Sequence, residues 1–338
     1  MNSLARLDEL AQAENKLITM WLHGKSPETI DSYSRYALQF LSFTNKSLNA
    51  IALEDLQNFA NHLAGSPLQP SSQRLILTVV KSLFSYGHRI GALPFNVGVA
   101  LIVPGSKDTL TERILTELEV ATLIRLEPNF QSRTLLLLLY ATGMRVSEIC
   151  GLCWKDFMVR GDELQVSIFG KGGKTRRVLL NNSTICQAIE KLRGLRLSDP
   201  DHPVFPSKTG KHLGRAQVLR IVKAAAIRAA LDQFSIDAEE EWDLLSHRIK
   251  VQGKLLAHVP ARKLTTTEVL RISEASGIAA LLSKVSPHWL RHAHGSHAMD
   301  HQAPIHLVQA TLGHANVATT SRYLHAKPSD SSCRFLPI

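Results

Sequence analysis

Five side chains in three short stretches are of types that together could transfer a phosphoryl group. Arg145 stands in a segment running from Ala141 and Thr142 through Gly143 to Glu148. His288 and Arg291 stand in the segment Ser286 to His292, and His314 and Tyr323 in the segment Leu312 to Tyr323. Two guanidiniums can clamp the non-bridging oxygens of a phosphodiester, imidazoles can hold or move protons, and a phenol can attack phosphorus. Such a set suits cleavage of DNA through a tyrosine nucleophile, provided that the three stretches converge.

Each residue also has a plainer explanation when taken singly. Arg145 follows a Thr142-Gly143 break at a helix start, where backbone N–H groups and a guanidinium suit a phosphate. Glu148, at i+3, can orient that guanidinium, although an ordinary surface Arg–Glu pair looks the same. Lys174 opens a strand directly after Gly172-Gly173, which allow close backbone approach; a solubilising hairpin lysine is the plain alternative, and Lys171, Arg176 and Arg177 compete with it for any role. Ser286 and Pro287 read as N-cap and first helical residue. His288 and Arg291 then share a face at the positive end of that helix, with His292, His294, His297 and His301 crowding behind. His288 and His292 have i, i+4 spacing, but Trp289, Leu290 and Arg291 lie between them in place of an H-E-x-x-H pattern. A cation there argues against a metal, and none is expected. His314 follows Gly313 at the end of a helix carrying Ile305, Leu307, Val308 and Leu312, and Tyr323 is expected on the next short helix. A lone tyrosine is most often a core residue with its hydroxyl bonded; the joint occurrence is what shifts the reading.

The elements that must position these groups are mostly helical. Ser26-Pro27-Glu28 starts a helix on which Ile30, Tyr33, Ala37, Phe40 and Leu41 recur at helical spacing. Leu53 to Leu63 gives a second helix, closed by Gly65, and Ser71 caps a third with Leu75, Val79, Leu83 and Tyr86, stopped by Gly91. Lys81, His88 and Arg89 lie on or near its polar side, as a solvated face or as contacts to a polyanion. Val103 to Asp108 is the best linker, with a boundary near 106, and Thr116-x-x-Glu119 is a capping box that opens a new helix. A strongly apolar helix precedes Thr142-Gly143. The alternation in Leu164 to Phe169, the turn Gly170 to Gly173 and the return Lys174 to Leu180 form the one strong β-hairpin signal.

Bulk properties agree with a polyanionic partner. The chain has 338 residues, suiting roughly two domains, and carries a formal charge of +10. Its four cysteines do not form a disulfide framework, and Cys150-x-x-Cys153 lacks a second pair at zinc-ribbon distance. No apolar run reaches membrane-spanning length and the first residues lack a signal-peptide pattern, so a cytoplasmic, nucleoid-associated protein without membrane contact is expected.

With these motifs in hand, the chain resembles the tyrosine recombinase (phage integrase) family, of Xer-like type. Ala141 to Glu148 is similar to the family's first arginine box, and Leu152 to Asp156 to the segment after it. Gly170 to Lys174 resembles the β-hairpin lysine turn, His288 to His292 the H-x-x-R box, and Leu312-Gly313-His314 with Tyr323 the last box and the nucleophile. The resemblance implies a mainly α fold with a small β-hairpin or sheet. It implies a helical core-binding (SAM-like) domain over 1–105 and an α+β catalytic domain over 106–338, together a C-shaped clamp on duplex DNA.

It further implies a catalytic set of Arg145, Lys174, His288, Arg291, His314 and Tyr323, supported by Glu148. Arg145 and Arg291 clamp the phosphate, His288 takes the phenolic proton, Lys174 protonates the departing 5′ oxygen and His314 donates to the phosphate. A 3′-phosphotyrosyl intermediate and a Holliday junction follow, with no metal, ATP or other cofactor. Lys81, Arg89, Lys171, Arg176 and Arg177 are candidate DNA contacts. The implied partners are double-stranded DNA with inverted-repeat half-sites, further copies of the chain in a tetramer on that DNA, and a partner recombinase or directionality factor. The other readings are a type IB topoisomerase-like relaxase and a DNA-binding protein without catalysis.

Two segments depart from the compact members of the family. An insertion spans about 232–285, acidic over Asp237 to Asp243 and basic over 247–263, and is expected to be a surface elaboration or an extra DNA or subunit contact. The tail 324–338 ends in Phe335, Leu336 and Ile338, which are expected to dock on a neighbouring copy.

Overall fold

The computed structural model describes residues 14–105, 110, 113–170, 173–194, 199–237, 250–251, 254–255, 265–269 and 285–324. Lys171, most of the 232–285 insertion including most of its basic run, and the tail residues Phe335, Leu336 and Ile338 lie outside the described residues. The chain divides into two compact units, Met1–Asp108 and Thr109–Ile338.

In the first unit, α1 (14–22), α2 (Pro27–Thr44), α3 (Leu53–Ala64) and α4 (Pro70–Arg89) enclose one apolar core. Pro27 follows the N-cap Ser26, and α2 ends on Asn45 in the left-handed region. Phe40 meets Phe59 and Phe84 edge-on at 5.1 and 6.0 Å between ring centres. Helix α4 begins one residue before the expected cap. Pro70, with its φ preset, takes the first position, and Ser71 falls inside the turn. Leu75, expected in the core, is exposed, whereas Ile76, Val79, Val80, Leu83 and Phe84 are buried. Lys81 donates to the carbonyls of Leu101 at 2.5 Å and Val99 at 3.4 Å, tying down the segment after α4. Its ammonium thus serves as an internal tie. Arg89 is exposed, with its guanidinium over the Tyr86 ring at 5.6 Å.

The second unit is built around α6 (Phe130–Thr142), whose Leu135, Leu136, Leu138 and Leu139 are all buried. It packs against α5 (Glu117–Arg125), α8 (Ser183–Gly194) and α10 (Pro287–Asp300). The Thr116–Glu119 capping box forms at the start of α5, with bonds of 2.7 and 3.2 Å. The five-residue α7 (Val146–Cys150) leads to a three-stranded antiparallel sheet in the order β1 (Phe157–Arg160), β2 (Glu163–Phe169), β3 (Thr175–Leu180). The β2–β3 register pairs Leu164 with Leu180 and Phe169 with Thr175. β1 escaped the sequence reading because only Phe157 on it is buried, so no alternation betrays it.

After α9 (Arg215–Asp237), the described part of the insertion contains the paired two-residue strands β4 (Lys250–Val251) and β5 (Lys254–Leu255), and a helical turn at 266–269 capped by Thr265 and Glu268. Two short helices, α11 (Ile305–Leu312) and α12 (Val317–Ser321), follow α10. Arg228 of α9 and Glu127 form an ion pair at 2.9 Å inside the unit, with side chains 0% and 2% exposed. Among the described residues no helix is long and apolar enough to cross a membrane.

Candidate active site

Arg145, His288, Arg291, His314 and Tyr323 come together where helix ends of the second unit meet, whereas the described contacts do not bring Lys174 among them. Helix α6 stops at Gly143, whose φ of 58° lies in the left-handed region. A Cβ there would stand 2.5 Å from Leu312 Cδ2 and 3.0 Å from His294 Cδ2, so glycine serves both the turn and the packing of α11 and α10 against it.

Arg291 staples these ends together. Only 4% exposed, it donates from Nη1 to the Gly143 carbonyl at 2.5 Å and from Nη2 to the Leu312 carbonyl at 2.7 Å. Two of its five N–H donors are spent in this way. Burial and then the nearby Arg145 cation lower its pKa to about 10, so it is still charged at neutral pH.

Arg145 is the N-cap of α7. Its backbone N–H donates to Glu148 Oε2 at 2.8 Å and its Nη1 to Oε1 at 2.9 Å. With that N–H taken and a helix of only five residues behind it, anion attraction here comes from the guanidinium rather than from a row of backbone amides. The Glu148 side chain is 3% exposed and serves a second cation, Arg176, at 3.0 and 2.8 Å. Burial pushes the Glu148 pKa up, but the bonds from Arg176 and from the Arg145 N–H prevail and hold it below its usual value.

Arg176 also donates from Nε to the Thr311 carbonyl at 2.6 Å. The donors of this candidate DNA contact thus face protein acceptors here. Arg177, the next residue on β3, is exposed. Lys174 is exposed just before β3, and its carbonyl closes the hairpin by accepting from the Gly170 N–H at 2.7 Å.

His288 lies in the first turn of α10, after Ser286 and Pro287. Its ring is exposed, yet the protein packed around it, then Arg291 and Arg145, lower its pKa. His314 follows Gly313, whose φ is 64°, and its Nδ1 lies 2.9 Å from Thr320 Oγ1. Burial and then the Arg291 cation lower its pKa to about 4.

Tyr323 sits in the turn after α12, one step beyond the helix on which it was expected, and is 4% exposed. Its ring lies nearly parallel to that of His314, at 16° and 6.4 Å, and over Gly295 of α10. A Cβ on Gly295 would come within 2.7–2.9 Å of the Tyr323 ring carbons, so this glycine is the seat of the phenol. The Tyr323 hydroxyl lies 3.0 Å from Nδ1 of His292. His292, one helical turn on from His288, is the imidazole at the hydroxyl in this geometry. Burial, then His288 and Arg291, lower the His292 pKa to about 4, leaving its ring neutral at pH 7. Burial raises the Tyr323 pKa against the pull of Arg291 and Arg322, so the phenol keeps its proton. The sequence contained the signal for His292, adjacent to Arg291, but its i, i+4 partnership with His288 directed attention to metal binding instead.

The model for the phage integrase family matches residues 112–238 and 238–330, and that for the phage integrase N-terminal SAM-like domain matches 14–90. The tyrosine recombinase XerD of Vibrio vulnificus (strain YJ016) is 26% identical over 334 residues, covering 94% of this chain and 92% of its own. XerD of Agrobacterium fabrum (strain C58) is 30% identical over 317 residues, covering 89% and 85%. Among solved structures, a lambda integrase (75–356) dimer bound to a COC′ core site matches with a TM-score of 0.65 at 15% identity, covering 95% of this chain and 97% of that one. The XerH recombinase bound to difH in a pre-cleavage complex matches with 0.59 at 19%, covering 96% and 82%. A mainly helical chain with a three-stranded sheet, matched by the family model over most of its second unit, belongs to the phage integrase family.

Proposed function

We propose that this protein is a site-specific DNA recombinase that cuts and rejoins duplex DNA through a 3′-phosphotyrosyl intermediate. The observation that carries the reading is the Tyr323 hydroxyl at 3.0 Å from a neutral His292, beside Arg291 and His314. The Tyr323 oxygen forms a bond to phosphorus, the bond to the 5′ oxygen breaks, and the phenolic proton passes to His292. Lys174 supplies a proton to the departing 5′ oxygen. Arg145 and Arg291 balance the charge that grows on the two non-bridging oxygens, and His314 donates to one of them. His288, with its lowered pKa, stands at the edge of the same site beside the two arginines. Because the covalent link retains the phosphodiester energy, the 5′ hydroxyl can attack in return without ATP.

The names of the relatives and neighbours, among them a lambda integrase bound to DNA, support DNA as substrate. Inverted half-sites, a tetramer on DNA, strand exchange through a Holliday junction, and a partner recombinase or directionality factor belong to the same proposal. So does the division of labour in which residues 1–105 bind DNA and 106–338 carry the chemistry. Lys81, Arg89, Lys171 and Arg177 are its candidate DNA contacts, and a cytoplasmic, nucleoid-associated setting goes with them.

The test begins with selection of bound duplexes from a randomised pool, which supplies the half-site. A nicked duplex of the selected sequence then traps the intermediate. Wild type gives a covalent protein–DNA band, while Tyr323→Phe binds and gives none. Relaxation of a supercoiled plasmid lacking the selected site, with no recombination of plasmids carrying it, would replace this reading by a relaxase.

A further inference from the structure

Arg176 occupies a place that the mechanism above leaves unused. It lies two residues after Lys174 and pairs in register with Ile168 across the hairpin. Its guanidinium meets the same buried carboxylate, Glu148, that holds the Arg145 guanidinium and backbone N–H. Its Nε reaches the Thr311 carbonyl at 2.6 Å, one residue before the Leu312 carbonyl that anchors Arg291. Gly313 makes room for it: a Cβ there would stand 3.1 Å from its Cδ. One side chain therefore touches the lysine hairpin, the carboxylate under Arg145, and the end of the helix that delivers His314.

We propose that Arg176 is a positioning residue for cleavage, setting Lys174 and Arg145 in one register. The inference rests on the reading of Tyr323 as the nucleophile. A planar fork fixes both the distance and the plane of Glu148, which a flexible ammonium does not. Losing the fork leaves Glu148 free to swing with Arg145 and leaves the Thr311 carbonyl without its Arg176 donor. Arg176 contributes by geometry, with no contact to DNA.

The test uses Arg176→Met and Arg176→Lys in the full chain, on nicked duplexes of the selected sequence. Three scissile groups are compared: the ordinary phosphate, a methylphosphonate lacking one charged non-bridging oxygen, and a 5′-bridging sulfur whose thiolate leaves without a proton. On the ordinary phosphate, single-turnover cleavage falls about tenfold or more for Arg176→Met and less for Arg176→Lys, with the DNA dissociation constant changed less than threefold. The deficit shrinks on the methylphosphonate if the fault acts through Arg145, and on the sulfur substrate if it acts through Lys174; either supports the proposal. A fold defect lowers all three alike, and equal deficits on all three overturn it. So do unchanged cleavage, or a loss confined to the dissociation constant, which would return Arg176 to the DNA contacts. A wild-type protein that forms no covalent band overturns the recombinase reading and this inference together, whereas a wild-type band matched by Arg176→Met overturns the inference alone.

Discussion

The Tyr323 hydroxyl and His292 Nδ1 lie 3.0 Å apart, with the tyrosine ring seated on Gly295 of the same helix. A neutral imidazole at a protonated phenol is the arrangement that a general base needs. His292→Ala is expected to slow formation of the covalent complex by about 10²-fold, with DNA affinity retained, in single-turnover cleavage of the nicked duplex. If His292→Ala cleaves like wild type and only His288→Ala is slow, the proton leaves by the route that the sequence first suggested.

Gly295 makes a sharper demand on the same contact. Gly295→Ala puts a methyl within 2.7–2.9 Å of the Tyr323 ring, which has no space to retreat without leaving His292. Overpacking of this kind costs about 1–3 kcal/mol. Urea denaturation should show that loss, and the covalent band should weaken. An alanine variant with wild-type stability and cleavage would mean that the phenol is not held in this seat.

Acid should destabilise the fold before the carboxylates titrate. His292, His294 and His314 each have a folded pKa near 4, below the ordinary 6.5. Between those values the unfolded chain takes up protons that the native state refuses, so stability falls as pH drops from 6.5 towards 4 and levels below it. Above 6.5 these groups contribute no slope. Unfolding free energies from urea titrations at pH 7.5 and 5.0 should differ by an amount on the order of a few kcal/mol. Replacing His294 by Asn should reduce the slope between them, and an unchanged slope would show that His294 is not neutral in the fold.

The Arg228–Glu127 pair is expected to matter for folding rather than for DNA. Glu127→Ala takes the carboxylate from a guanidinium with no solvent exposure, and should cost about 3–5 kcal/mol in equilibrium unfolding. A loss under 1 kcal/mol would mean that the interior readjusts around Arg228.

Periodicity and punctuation made much of this fold readable in advance. Ser26-Pro27, Thr116 with Glu119, and Gly65 and Gly143 mark helix ends because capping is local chemistry that the sequence writes out. β1 was not legible, since a strand with one buried residue carries no pattern. Within the site, the residue types at 145, 288, 291, 314 and 323 could be read from spacing. What spacing withholds is which imidazole meets the phenol and which cations face inward. Arg176 and Lys81 look like solvent-facing charges in one dimension. Their carbonyl partners, Thr311 and Leu101, lie 135 and 20 residues away. His292 was hidden by its neighbours, because five histidines between 288 and 301 offer too many pairings until the helix is placed against Tyr323.

The Arg291 staple carries a consequence for the life of the chain. Its bond to Gly143 spans 148 residues, and its bond to Leu312 waits for the last helices. Contacts of such separation are costly to close and form late in folding. A copy whose last helices are not yet packed thus has the arginines but no assembled centre. The ability to break a strand arrives only when residues far apart in the chain have met.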